Sequence, residues 1–363
     1  MNTIYFKGLN GIRAIACTIV IVFHIDQFVP MFNLPSTGYH ESGVAAYGVI
    51  LFFVLSGYLI TFLMMTEKKT FGRVELLKFY KRRILRIWPI YYLAIIVTIL
   101  LLSFKIISDH SNAITGIALY SLLLSNVGYA FGYGIISITP LWSVGVEEQF
   151  YAFWPLLLNK SKNIFMALII VILIYLLLKI GLRFFENGPW YSLITNSAFD
   201  SMAIGGLASA LVFYKSRLLS YLYNPLLQIL CWLFLGISVF YKPIHFLSLF
   251  DSEMHSIIYA IIIVNVSANE KSLISLENKV FNFIGRISYG MYVYHMIIIV
   301  LLSYFFKTHI HAIPSHSTQY IVVYTVIIGV TIMVSYLSYN YFESFFLKLK
   351  TNFSKVRSTN NSE

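Results

Sequence analysis

Charged residues are scarce in this sequence. They make up 11% of its 363 residues, whereas hydrophobic residues make up 58%. Soluble domains carry about 25% charged residues, so this composition excludes an ordinary soluble domain. The apolar residues form repeated runs of about 17–23, the length at which a helix crosses a hydrocarbon core of ~30 Å. The alternating pattern of a membrane β-barrel is absent, which leaves helices as the spanning elements.

Cysteine is also scarce. The two cysteines, Cys17 and Cys231, lie in different apolar runs and form no CxxC pair. This excludes a disulfide framework, and we interpret both residues as small buried side chains. His309, His311 and His316 share an outer loop, but their spacing is a weak signal for zinc, and we expect no metal site.

A cleavable signal peptide is not evident. The first apolar run is too long for the hydrophobic region of a leader, and it lacks an A-x-A cleavage site. We therefore expect that run to remain as the first helix. The net charge of +11 lies mostly in short loops between apolar runs. That distribution is the positive-inside signature of a membrane protein and argues against a nucleic-acid partner.

Hydropathy and charge predict an all-α integral membrane protein with about ten transmembrane helices and both termini in the cytoplasm. Segment 67–86 holds eight basic residues, which makes it cytoplasmic. The loops then alternate only if 103–159 crosses once, although it contains two apolar stretches, 113–127 and 141–158. One of these is expected to be re-entrant or broken. Nine further spans are predicted at 12–31, 44–65, 84–102, 164–182, 197–213, 222–241, 246–264, 285–306 and 320–342.

This topology has one weak point, because Lys179 and Arg183 fall on the outer rim. We assign 1–347 to one transmembrane domain. We expect 348–363 to form a polar, disordered cytoplasmic tail.

Ionisable residues inside spans are costly, so each is a functional candidate. Arg13 and His24 are 11 residues apart in the first span. That spacing is close to three helical turns, so both face one side, about 16 Å apart along the axis. We interpret the deeper His24 as functional.

Adjacent carboxylates occur in the stretch 142–151, which also contains Trp142, Ser143 and Tyr151. On a helix, Glu147 and Glu148 point about 100° apart, so one can face a cavity while the other reaches a partner. A carboxylate near a buried histidine can orient its ring. The alternative is a helix cap or an ion pair.

A basic run, 81–89, contains Arg82, Arg83 and Arg86. It is a topology determinant in any interpretation. Arg82 and Arg86 also share a helix face and can hold a phosphate-bearing ligand through bidentate contacts.

Three late residues complete the candidates. Asp200 opens an apolar span, where an acid is favoured by the helix dipole. Arg286 can snorkel to the cytoplasmic surface, whereas His295 lies deeper in the same span and is a functional candidate.

These segments occur in a characteristic order. The order along the chain is Arg13-x10-His24, 52–58, 82–89, 141–151, 199–205, 284–295 and 341–343. The series resembles membrane-bound acyltransferase family 3, whose members O-acylate cell-envelope glycans. The matches extend over nearly the whole chain, and the Arg-x10-His and acidic motifs are the most specific pair.

The resemblance implies a cytoplasmic acyl-CoA, most often acetyl-CoA, as co-substrate and no permanently bound cofactor. The implied acceptor is a hydroxyl of a cell-envelope or lipid-linked glycan, such as lipopolysaccharide, capsule or exopolysaccharide, at the bacterial inner membrane. Some members append a soluble esterase-like domain, which we do not expect here. The oligomeric state is left open.

Under this resemblance, His24 is the base or a transient acyl carrier, Glu147 orients it, and Arg13 lines the path of the thioester. Asn196 stands where the family often carries a basic residue, so the sequence names no partner for Asp200. Binding of donor and acceptor is assigned to Arg82, Arg83, Arg86, Trp142, Ser143, Tyr151, Asp200 and His295.

Two alternatives remain. A transporter or proton-coupled channel would use the same intramembrane polar residues as a pathway, without chemistry. A lipid-modifying acyltransferase of another membrane fold would use the same donor.

Overall fold

The computed structural model is helical with one small sheet, and it describes residues 2–39, 43–107, 112–186, 188–241, 244–245, 249–353 and 356–359. The α-helices are α1 Leu9–Phe28, α2 Val44–Phe71, α3 Leu76–Ser103, α4 Ala113–Ser121, α5 Ser125–Ala130, α6 Trp142–Lys160, α7 Ile164–Leu182, α8 Pro189–Ser197, α9 Phe199–Phe213, α10 Leu219–Leu222, α11 Pro225–Phe240, α12 Asp251–Ala268, α13 Lys279–Phe306, α14 His316–Leu337 and α15 Ser344–Thr351. Short 3-10 turns cover Val29–Phe32, Ile136–Leu141, Arg183–Phe185 and Ile310–Ala312, and the π-helical Ser338–Glu343 joins α14 to α15.

Six helical segments within the described ranges are long and apolar enough to cross a membrane. They are Leu9–Phe32, Val44–Phe71, Leu76–Ser103, Ile164–Phe185, Lys279–Phe306 and His316–Thr351. Helices occur at all nine predicted spans outside 103–159, but α9, α11 and α12 have only 15, 16 and 18 residues. Part of the predicted span 246–264 lies outside the described residues. Length and composition support six spanning helices, and the number ten stays a prediction.

Several long helices turn apolar side chains away from the protein interior. On α7, Leu173, Ile174 and Leu177 are 52%, 50% and 68% exposed, and Ile321 of α14 is 65% exposed. Soluble monomers rarely expose apolar patches larger than a few hundred Å². An apolar outer surface of this kind matches a protein whose solvent is lipid.

The segment between α3 and α7 is interrupted. The helices α4 and α5 have 9 and 6 residues, and α6 then continues for 19 residues. At 1.5 Å per residue α6 is about 28 Å long, whereas α4 and α5 are each too short to cross a bilayer. The acidic stretch 142–151 therefore lies on the longest helix of this segment. How these helices sit in a bilayer stays a prediction.

Close packing of α2 against α9 fixes the interior. Gly57 of α2 lies against the Met202 carbonyl, and Gly205 of α9 lies against the Val54 carbonyl. A Cβ atom at either glycine would overlap the facing oxygen. Small residues let membrane helices approach in this way. The helix α1 packs against both α2 and α13.

The two ends of the chain lie side by side. Strand β1, Asn2–Tyr5, pairs in parallel with strand β2, Val356–Thr359, and Asn2 is the partner of Val356. The predicted all-α fold is confirmed, with this two-stranded sheet as a small addition. The helix α15 and strand β2 occupy part of the tail that was predicted to be disordered. Residues 354–355 and 360–363 of that tail lie outside the described residues. Both ends are therefore on one face of the molecule.

Candidate functional site

Side chains from α1, α2, α3, α6 and α13 enclose a cavity of ≈ 130 Å³. About 10–15 Å³ holds one water, so this volume accommodates several waters or a small acyl group. The cavity gathers residues from motifs that are far apart in the sequence. Its polar lining consists of Arg13, Ser56, Arg83, Arg86, Ser143, Glu147, Tyr151, Ser288, Tyr289 and Tyr292.

Three guanidinium groups, those of Arg13, Arg83 and Arg86, line this cavity. Arg13 Nη1 donates to Asn10 Oδ1 at 3.0 Å. The Arg83 guanidinium lies 5.4 Å from the centroid of the Tyr151 ring. Its buried Nε has no hydrogen-bond partner in the part of the chain that the structure describes. Each guanidinium carries five N–H donors, so the cavity has donors to offer an anionic group.

A chain of hydrogen bonds orients Arg13. Asn10, which accepts from Arg13, donates to Asn282 Oδ1 at 3.3 Å. Asn282 donates in turn to Glu277 Oε1 at 2.5 Å, and the Gly8 amide donates to Glu277 Oε2 at 2.8 Å. The start of α1 is thereby attached to the start of α13, and this connection holds Arg13 at the cavity.

The two adjacent carboxylates have different partners. Glu147 faces the cavity and accepts hydrogen bonds from Ser56 Oγ at 2.8 Å and from the Tyr151 hydroxyl at 2.9 Å. Glu148 accepts from Trp88 Nε1 at 2.8 Å. Glu147 therefore faces the cavity and Glu148 reaches a partner outside the cavity lining, as the sequence analysis predicted for two adjacent acids. The hydrogen bonds of Glu147 reach Ser56 and Tyr151, however, and not the histidine that the sequence analysis gave it to orient.

Ser143 and Tyr292 close one wall of the cavity. Their hydroxyl oxygens are 2.7 Å apart, and both lie 3.1 Å from the Pro140 carbonyl oxygen. Since each hydroxyl has one hydrogen, one of them donates to this carbonyl while the other donates to its neighbour. The ring centroid of Tyr292 lies 6.0 Å from that of His295. Tyr292 therefore lines the cavity and also contacts a second cluster of polar residues.

That second cluster is a pair of histidines. His24 Nδ1 and His295 Nε2 are 3.0 Å apart, and the two ring planes are inclined at 27° with their centroids 5.1 Å apart. His295 is completely buried, and its Nδ1 lies 3.2 Å from the Met291 carbonyl oxygen. His24 is half-buried. The structure thus makes His295 the direct partner of His24, where the sequence analysis had placed it among the substrate-binding residues.

Comparison with known proteins identifies the family. Residues 6–340 match the family model described as an acyltransferase domain. The chain belongs to this acyltransferase family.

Two relatives illustrate its similarities. The O-acetyltransferase OatA of Staphylococcus aureus (strain NCTC 8325 / PS 47) is 29% identical over 369 residues, covering 94% of this chain and 57% of that protein. The peptidoglycan O-acetyltransferase OatA of Listeria monocytogenes serovar 1/2a is 30% identical over 329 residues, covering 82% of this chain and 50% of that protein. The chain thus spans about half the length of these relatives. No solved structure matches it.

Arg82 occupies a different place from the other two arginines of the basic motif in this acyltransferase-family chain. Its Nη2 lies 3.0 Å from Glu67 Oε2, and its Nη1 donates to the Phe353 carbonyl at 2.9 Å. It is not part of the cavity lining, whereas Arg83 and Arg86 are. The structure therefore gives Arg82 a bridging contact between α2, α3 and the end of the chain.

Asp200 also lies outside the cavity lining. It is completely buried, and its Oδ2 is 2.6 Å from Lys179 Nζ, which is 2.6 Å from Glu253 Oε1 and 2.9 Å from Ser252 Oγ. The partner that the sequence did not name is therefore Lys179, and this lysine is 1% exposed. Its place at the outer rim of the membrane stays a prediction. The pairing joins α7, α9 and α12.

Trp142 is another predicted binding residue that the structure places elsewhere. Its ring stacks on Tyr129, with centroids 5.5 Å apart, and meets Phe53 edge-on. Ser56 and Tyr292, in contrast, are cavity residues that were not selected from the sequence. Both lie inside segments quoted for the family resemblance, and that position was the signal available to find them.

Proposed function

We propose that this chain is an O-acetyltransferase that moves an acetyl group from cytoplasmic acetyl-CoA to a hydroxyl of a cell-envelope glycan. One observation carries the proposal. In a member of an acyltransferase family, a cavity lined by three guanidiniums includes Tyr292, whose ring lies 6.0 Å from one member of a pair of hydrogen-bonded histidines. The cavity offers an anion-binding end, and the histidines offer a basic nitrogen.

The spacing of these two ends supports the choice of donor. Arg13 and His24 are separated by 11 residues of α1, a rise of about 16 Å. Acetyl-CoA carries its phosphates and its thioester at opposite ends of a long flexible arm. Arg13, Arg83 and Arg86 would hold the anionic end by charge-assisted hydrogen bonds, and the thioester would extend toward Tyr292 and His24.

The chemistry follows from the basic nitrogen. His24 takes the proton of the acceptor hydroxyl as that oxygen attacks the thioester carbonyl carbon. The carbon–sulfur bond breaks, CoA leaves as a thiolate, and the proton carried by His24 returns to it as free thiol forms. In the second route, His24 attacks the thioester carbonyl carbon, the carbon–sulfur bond breaks and CoA leaves as a thiolate. The acceptor hydroxyl then attacks the acyl-histidine, which frees His24, and the proton of that hydroxyl goes to the thiolate. Both routes need an unprotonated ring nitrogen on His24.

The acceptor class follows from the relatives. The Listeria protein is named a peptidoglycan O-acetyltransferase, and we extend that acceptor, a peptidoglycan sugar hydroxyl, to this chain. It lies within the wider class of envelope glycans that the family resemblance implies. The Staphylococcus protein, which carries the name O-acetyltransferase, supports acetyl as the transferred group.

We further propose ten crossings of the bacterial cell membrane, with both termini in the cytoplasm. The parallel pairing of β1 with β2 supports an even number of crossings, because it places both chain ends on one face. In this arrangement α6 is the crossing within 103–159, and α4 with α5 forms the broken segment. The contact of Lys68 with carbonyls at the end of α6, 2.7 Å from Leu158 O, supports a shared cytoplasmic side for these two ends.

Replacing the proposed base tests this function. Purified protein in lipid vesicles is given acetyl-CoA and a peptidoglycan fragment, with free thiol and acetylated glycan measured together. His24→Ala is expected to lower transfer about 10²–10⁴-fold, because general base catalysis contributes that factor. His309→Ala, a change in an exposed outer segment, is the control. Near-normal acetylation by His24→Ala contradicts the proposal, and a wild-type protein that releases no thiol supports a transporter instead.

A further inference from the structure

The histidine pair contains information on where its protons lie. His295 Nδ1 is 3.2 Å from the Met291 carbonyl oxygen, and His295 Nε2 is 3.0 Å from His24 Nδ1. A carbonyl oxygen only accepts hydrogen bonds, so His295 Nδ1 must carry a hydrogen in order to donate. A neutral imidazole has one N–H, so His295 Nε2 is then an acceptor.

The direction of the second hydrogen bond follows. Because His295 Nε2 accepts, His24 Nδ1 must donate. A neutral His24 with its hydrogen on Nδ1 has a free electron pair on Nε2. The Met291 carbonyl therefore acts through one intervening ring on the tautomer of His24, a ring that also has a backbone hydrogen bond to Val20.

We propose that His295 is a positioning residue that holds neutral His24 in the Nδ1–H tautomer and so makes His24 Nε2 the reactive nitrogen. This proposal rests on the proposed function, in which His24 is the base or the acyl carrier. When His24 Nε2 takes a proton from the acceptor hydroxyl, the Nδ1–H bond to His295 remains and supports the imidazolium ring. When His24 attacks a thioester instead, the same nitrogen supplies the electron pair.

The surroundings support this role for His295. Glu147, the carboxylate expected to orient His24, has its oxygens bonded to Ser56 and Tyr151. His295 is completely buried, and its ring plane is inclined at 27° to that of His24, an arrangement in which the facing nitrogens can share an in-plane hydrogen bond. In a Ser–His–Asp triad, the wrong histidine tautomer lowers kcat about 10⁴-fold, so fixing the tautomer has a large effect.

A spectroscopic measurement tests the tautomer directly. The protein contains nine histidines, so the ¹⁵N spectrum of histidine-labelled protein in bilayers is tractable, and His24→Ala assigns the signals of His24 by difference. At a pH where His24 is neutral, we expect a protonated Nδ1 and an unprotonated Nε2. A proton on Nε2 of neutral His24 overturns the proposal, whatever the kinetics show.

Kinetics with matched variants test the consequence. His295→Leu removes the acceptor and is expected to lower kcat about 10²–10⁴-fold with little change in KM for acetyl-CoA. His295→Gln keeps an amide oxygen that can accept from His24 and is expected to restore part of that loss. The control is His255→Leu, because His255 is also buried and also bonds through Nδ1 to a carbonyl four residues earlier, Asp251 O at 2.6 Å.

The outcomes separate the two proposals. Near-wild-type kcat in a folded His295→Leu protein overturns the positioning role, even if His24→Ala is inactive. Full activity of His24→Ala overturns the proposed function, while the ¹⁵N spectrum still decides the tautomer. Thermal unfolding of each variant shows whether it is folded, and if His295→Leu fails to fold, His295→Gln and the wild-type spectrum remain decisive.

Discussion

Arg82 and Arg83 are neighbours in one motif, and the structure predicts that replacing each one impairs a different property of the protein. Arg83 lines the cavity with a buried Nε that has no hydrogen-bond partner among the described residues. Arg82 lies 3.0 Å from Glu67, and the two side chains are 11% and 4% exposed. Arg83→Met should therefore impair donor binding, whereas Arg82→Met should impair stability. Methionine keeps an unbranched chain in both cases and removes only the charged head.

The magnitudes follow from these environments. A hydrogen bond to a charged group contributes about 1.5–3 kcal/mol, and a factor of ten in affinity is about 1.4 kcal/mol. Arg83→Met should thus raise the Kd for acetyl-CoA roughly 10- to 140-fold. Arg82→Met leaves Glu67 buried without its cation, and breaking a buried ion pair from one side costs about 3–5 kcal/mol of unfolding free energy. The Kd of the folded Arg82→Met protein should stay within about threefold of wild type, because no phosphate contact is lost.

Two measurements on purified protein separate these effects. Equilibrium binding of labelled acetyl-CoA gives Kd, and thermal unfolding without ligand gives stability. A short acetyl thioester without phosphates is the control donor, and Arg83→Met should leave its rate of use unchanged. Equal losses of acetyl-CoA affinity in both variants, or an equal loss with the control donor, would refute the assignment of phosphate binding to the cavity arginines.

Two further predictions concern stability. Gly205→Ala places a Cβ against the Val54 carbonyl and should lower the free energy of unfolding by about 1–3 kcal/mol. The control is Gly236→Ala, where a Cβ meets nothing within 4 Å, and it should leave the thermal midpoint unchanged or raised. Equal midpoints for the two variants would contradict the close approach of α2 and α9. Lys179→Met leaves the buried carboxylates of Asp200 and Glu253 without a cation and should destabilise the protein by about 3–5 kcal/mol. The folded variant should keep its affinity for acetyl-CoA. A thermal midpoint equal to that of the wild type would contradict the role of Lys179 as their counter-charge.

Helical periodicity predicted much of this arrangement, but it does not choose between neighbouring residues. Arg82 and Arg86 were selected because residues four apart share a face, and Arg83 and Arg86, three apart, satisfy the same rule. What distinguishes Arg82 from Arg83 is Glu67 on α2, which pairs with Arg82. A partner on another helix is not visible in the spacing of α3, so the sequence could indicate the cationic motif without showing which members face the cavity.

The buried Lys179 shows the same limit. The alternation of basic loops placed this lysine at the outer rim, the weak point of the predicted topology, and named no partner for it. Asp200 and Glu253 begin two other helices, and only their convergence on Lys179 makes the burial of this charge tolerable. The helix positions were predictable from hydropathy because lipid requires apolar faces, whereas the pairing of charges depends on how the helices pack.

The surroundings of α1 differ between its two functional residues, Arg13 and His24. Near Arg13 the cavity lining contains three guanidiniums and one carboxylate, Glu147, so it has an excess of positive charge that an anionic donor would balance. Near His24 the partner is His295, which accepts a hydrogen bond while neutral. A carboxylate at that buried position would need its own counter-charge and further hydrogen bonds, and the contacts of His295 are a backbone carbonyl and aromatic rings. A neutral acceptor, His295, therefore orients His24 without a second buried charge. This explains why Glu147 and His24, which the sequence analysis expected to interact, have separate partners.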